Sequence, residues 1–109
     1  MAQAVFVHAG ASIDYTPAAD VAAGDVVVQG DLVGVAKLDI KAGQLGALAV
    51  EGVFDFAKAT GSAVTVGALV YWNATAQQAT TTATGNKLLG KCVRAAAAAD
   101  ARVRFRLSQ

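Results

Sequence analysis

The run Gly85-Asn86-Lys87-Leu88-Leu89-Gly90-Lys91-Cys92 follows the phosphate-cradling pattern G-x-x-x-x-G-K-[ST] up to its last position, where a cysteine replaces the magnesium-binding hydroxyl. Such a loop works between a buried strand and a helix whose N-terminus faces the phosphates. Here Thr80-Thr81-Thr82-Ala83-Thr84 precedes it and the strand-like Cys92-Val93-Arg94 follows. Nucleotide chemistry through Lys91 is therefore not expected. The alanines Ala95 to Ala99 have high helix propensity but are too few to supply the missing helix, and they read as a tight loop or single turn.

Glu51 and Asp55 share one face if residues 51 to 55 are extended, with Phe54 and Phe56 on the other. Two carboxylates invite a glycosidase reading, but that chemistry needs them about 5 to 10 Å apart across a sugar cleft. Nothing in the sequence sets Phe54, Phe56 and Trp72 around such a cleft, so solvated or ion-paired carboxylates are the expectation. His8 is the sole histidine, near the start of the chain, and reads as a surface or interface residue rather than an oriented base. Cys92 is the sole cysteine, which rules out an internal disulfide or a multi-cysteine zinc site and fits a reduced, intracellular origin. No catalytic residue, metal or cofactor is expected, and the chain reads as a structural or binding protein.

The most informative pattern is Arg102-Val103-Arg104-Phe105-Arg106-Leu107, where strict alternation puts three guanidiniums on one face of a strand and three apolar groups on the other. Net charge is only +1, and three arginines without interleaved exposed aromatics make a small footprint, so nucleic acid is not an expected partner. The charge is unevenly distributed. Residues 1 to 55 hold seven acids and two lysines, whereas residues 56 to 109 hold seven bases and one acid, Asp100. Oppositely charged halves can pair within one fold or between copies. Glu51, Asp55, Arg102, Arg104 and Arg106 are accordingly the candidate interface residues, the arginines pairing with Glu51, Asp55 or a neighbouring subunit's acids.

The elements that must carry these residues are short. At 109 residues the chain has the length of a single β domain spanning 1–109. Of its 60 hydrophobic residues, 26 are Ala and 15 are Val, so the interior should be thin and part of the stability should come from contacts with other subunits. β-branched runs punctuated by glycine predict a mainly β fold, a small antiparallel β-barrel or sandwich of β-clip-like form with at most one or two short helical turns.

Residues 3 to 8 and 11 to 16 read as strands, and Pro17 to Ala23 as one helical turn. Val26 to Gln29 and Leu32 to Ala36 form a hairpin through Gly30-Asp31. Leu45 to Glu51 and Val53 to Ala57 read as a strand pair or as one strand bent at Gly52. Ala68 to Trp72, the stretch around Ala79 to Thr82, Lys87 to Arg94 and Ala101 to Leu107 complete the set.

The segment 21 to 28 echoes 64 to 71, and Leu32-Val33-Gly34-Val35 echoes Leu88-Leu89-Gly90-Lys91; duplication and shared β composition both account for this. The start of the chain lacks a basic, apolar signal segment. The uncharged stretch 59 to 86 is too polar to span a membrane, and no membrane contact is expected.

The chain resembles a family of small tailed-phage and prophage proteins with a domain-of-unknown-function label, which includes capsid cement, or head decoration, proteins. The resemblance runs through Ile13-Asp14-Tyr15-Thr16, Val21 to Val28, Leu32 to Ala36, Gly46 to Phe54, Gly67 to Trp72, Leu88 to Lys91 and Val103 to Leu107. It implies a β-rich homo-oligomer, a trimer, that sits on the outer surface of the virion head after assembly in the host cytoplasm, with the major capsid protein as partner. Other readings are a virion component such as a head fibre or tail-associated domain, and a DNA-binding or ATP-dependent recombination accessory protein using Lys91. Members also carry a RecA/RadA-type recombinase label, but that activity needs an ATPase core too large for this chain.

Overall fold

Gly30 and Asp31 reverse the chain between two β-rich runs, and the turn is of the Gly-first kind: Gly30 has φ +61° and the flanking Gln29 and Leu32 lie directly opposite each other. This hairpin, β2 (Val26–Gln29) and β3 (Leu32–Ala36), forms one side of the first of two antiparallel sheets, with β2 at its edge. In the computed structural model, which describes residues 3–109, β4 (Gly46–Ala49) adds to β3 and β1 (Ser12–Tyr15) adds to β4, giving the order β1-β4-β3-β2. The second sheet, ordered β5-β9-β8-β6-β7, is built from β5 (Gly52–Ala57), β6 (Leu69–Asn73), β7 (Gln78–Thr80), β8 (Lys87–Arg94) and β9 (Arg102–Leu107).

The expected all-β class holds, and of the two architectures named the sandwich-like one is found. The second sheet curls until its edges touch at a single parallel bridge between Lys58 and Ala79, but no ladder joins β5 to β7 and the barrel stays open.

Three local expectations are corrected. Residues 3 to 8 form no strand: Val5, Phe6 and Val7 are over 80% exposed, because no sheet edge lies alongside to pair their backbone. Pro17 to Ala23 forms no helical turn, and no helix occurs among the described residues. A single turn closes few internal bonds. Instead Val21 exchanges two backbone bonds with Ile40, both 2.8 Å, while Asp20 and Asp39 accept from the amides of Ala42 and Ala23. Finally, β4 and β5 neither pair nor form one strand. The chain leaves the first sheet at Val50 and enters the second at Gly52, whose φ of +133° lets it turn the corner between sheets.

The echo between the halves is structural. In the first half Val21 and Ile40 exchange two backbone bonds, the Gly24 amide donates to Ala36 O, and the Ala36 amide donates to Asp25 O. In the second, Val64 and Ala96 exchange two bonds, Gly67 donates to Cys92 O, and Cys92 donates to Ala68 O. Gly24 and Gly67 carry the same left-handed turn, φ +92° and +88°. Strand order is also shared, since β1-β4-β3-β2 becomes β5-β9-β8-β6 with β7 added. The sheets meet through equivalent strands, β3 and β8, and the equivalent residues Asp31 and Lys87 form an ion pair at 2.6 Å.

The apolar bulk is concentrated on the inner face of the second sheet. Phe56 stacks edge-on against Trp72 and Phe105, at 5.5 and 4.7 Å between centroids, and Leu89, Val103 and Leu107 surround them. Val33 and Val35 of β3 pack into this cluster and so tie the sheets together. The separate cluster of buried residues beneath the first sheet is small, Ala36, Ile40 and Leu48. The thin interior expected from composition is therefore unequal. Most alanines lie outside it, the buried ones being Ala36, Ala49, Ala79 and Ala96.

Candidate interaction face

Alternation along β9 buries Val103, Phe105 and Leu107 and leaves Arg102, Arg104 and Arg106 on the outer face. β5 flanks it with Val53, Asp55 and Ala57 outward, opposite Arg106, Arg104 and Arg102 in that order. The register sets Asp55 beside Arg104, and the carboxylate accepts from Arg104 Nε at 2.9 Å and Nη2 at 3.1 Å. Glu51, at the corner before β5, lies 3.8 Å from Arg106. Four of the five residues singled out from the sequence are thus joined pairwise within one chain. Arg102 makes no ion pair among the described residues.

The Arg104 guanidinium holds the Asp55 carboxyl below its ordinary value, chiefly by hydrogen bonding and further by its charge, with help from Arg102 and Arg94. The same bond raises Arg104 further above its ordinary value.

Two cations of this face were not among the interface candidates: Lys91, which was weighed only as a phosphate-loop lysine, and Arg94. β8 places Lys91 opposite Arg106 and, past a bulge, Arg94 opposite Arg104. Like charges directly opposite on neighbouring strands oppose pairing. The outer face of the second sheet thereby gathers five cations, Lys91, Arg94, Arg102, Arg104 and Arg106, against two acids. Val53, Leu69 and Val93 are exposed among them. Beside the arginines is an open depression of about 400 Å³ lined by Arg94, Arg102, Arg104, Asp55 and Asp100. The signal for Arg94 was the cationic spacing within 87 to 94, but the bulge that turns it outward is not written in the sequence.

The phosphate-loop pattern does not become a phosphate loop. Lys87 to Arg94 is one strand, and its Lys91 is exposed on the sheet face rather than at a helix N-terminus. Cys92 is buried, its thiol within 3.1 Å of the Arg94 carbonyl oxygen. His8 is exposed, and its Nδ1 accepts from the Gly10 amide at 3.0 Å.

The fold and face define a small all-β protein of two antiparallel sheets with a cation-rich strand face. The chain belongs to the phage cement protein family, whose model matches residues 7–107, nearly the whole chain. Proteins of this family are structural components associated with the phage capsid. No curated protein and no solved structure matches the chain.

Proposed function

We propose that this protein binds the outer surface of the assembled phage head at junctions of the major capsid protein, through the charged face of the second sheet, and stabilises the shell. The family match over residues 7–107 carries this reading. The protein acts as a homotrimer, joins the head in the host cytoplasm and performs no reaction there. A ligand that binds only the closed shell stabilises it by mass action. The face suits that task, because exposed guanidiniums select carboxylates by geometry while Val53, Leu69 and Val93 supply apolar area. Undecorated heads mixed with purified protein and sedimented should carry it down and resist heating better. Absence of co-sedimentation at every salt concentration would overturn the proposal.

A further inference from the structure

Lys58 is 5% exposed, the sole buried charged residue among the described residues. Its Nζ donates to the carbonyls of Ala59 at 2.8 Å and Ser62 at 2.7 Å. An ammonium has three N–H donors, and no acceptor among the described residues takes the third. No carboxylate pairs with it either, so two carbonyl dipoles solvate this charge without neutralising it.

The lysine lines a cavity of about 160 Å³ at the seam where the two edges of the second sheet meet. Ser62, Asn73, Gln78 and Thr80 give this cavity a polar side, and Val64 and Val103 give it an apolar one. The Asn73 side-chain oxygen is already taken by the amides of Thr75 and Ala76, each at 3.1 Å, so its amino group is left to donate.

We propose that this cavity binds a carboxylate group, with Lys58 as counter-ion and Asn73 and Thr80 donating to its oxygens. One cation among neutral donors matches a singly charged anion. A phosphate dianion would call for a second cation, and none lines the cavity. The valine wall takes a short alkyl stem, so the ligand is a small aliphatic acid or an acidic side chain of a docked protein. Neither source depends on where the protein meets the head.

The test uses the full-length protein. Acetate and propionate should raise its melting temperature saturably, by roughly 5 °C at ten times the half-saturating concentration. Chloride and phosphate at equal ionic strength should not. Lys58→Met should lose the response. In the parent protein, propionate should move amide resonances at Lys58–Ser62 and Gln78–Thr81, a readout that stands even if the variant fails to fold. N-acetyl-glutamate amide is the second arm: a matching response identifies an entrance open to protein side chains, and a response to propionate alone restricts the site to free acids. No saturable response to either probe, an equal response in folded Lys58→Met, or resonance shifts centred elsewhere overturns the proposal.

Discussion

Gln109 does the work of a missing strand. Its side-chain amide donates to the Val33 carbonyl and accepts from the Val33 amide, both at 2.6 Å, so one residue satisfies both backbone groups of a fully buried position in β3. Because it follows β9, this contact also ties the first sheet to the second. Net hydrogen-bond contributions are modest, but a buried donor or acceptor left unpaired costs more. Gln109→Ala should therefore lower unfolding stability by about 2 kcal/mol, measured by urea denaturation. An unchanged midpoint would mean that water replaces the amide without cost.

At the scale of elements, the β5–β9 ladder brings the acid-rich half of the chain to the base-rich half. Asp55 and Arg104 lie on the solvent side of that ladder, opposite Phe54 and Phe105 in the alternating register. The Asp55 carboxyl is held below its ordinary value of 3.8, so the folded protein gives up this proton more readily than the unfolded chain. The pair thus adds stability above about pH 4, and that contribution is lost as pH falls through the lowered folded-state value. Both partners are near half-exposed, which keeps the effect small. Asp55→Asn should lower the melting temperature by about 2 °C near neutral pH, with the difference narrowing on acidification below about pH 4. A difference that stays constant down to about pH 2 would remove the ion pair as its cause.

For the whole molecule, the two sheets share one strand plan but not one chemistry. Of the first-half acids, Asp20, Asp25 and Asp39 cap turns within their own sheet, whereas the cations of the second half cluster on an outer face. Lys91 opposite Arg106 and Arg94 opposite Arg104 are pairings that a free-standing sheet gains nothing from. A docked acidic surface turns the same crowding into attraction. Reversing charge in Arg94→Glu with Arg102→Glu should weaken binding to undecorated heads by roughly 100-fold and flatten its salt dependence. Lys37→Glu, exposed on the first half, should leave binding unchanged. Equal losses in both variants would place the docking face elsewhere.

Much of the strand content was legible because glycine turns and period-two alternation are local. The Gly30-Asp31 hairpin, the Lys87–Arg94 strand and the outward arginines of β9 all stand where the sequence puts them. So do the residue types that pair, since Asp55 on β5 and Arg104 on β9 need only a shared register. What tertiary structure decided was partnership. Residues 3 to 8 have the composition of a strand and form none, because a strand exists only where another edge meets it. Gly52 could mark a bulge, a pair or a corner, and only the separation of two sheets made it a corner. Arg94 faces outward because a bulge shifts its register against β9, and Lys58 is buried because the second sheet curls back on itself. The sequence by itself determined which segments extend and which side chains carry charge, through short-range sterics and spacing. Which edges meet, and so which charges are paired and which left free, followed from the long-range packing of Phe56, Trp72 and Phe105.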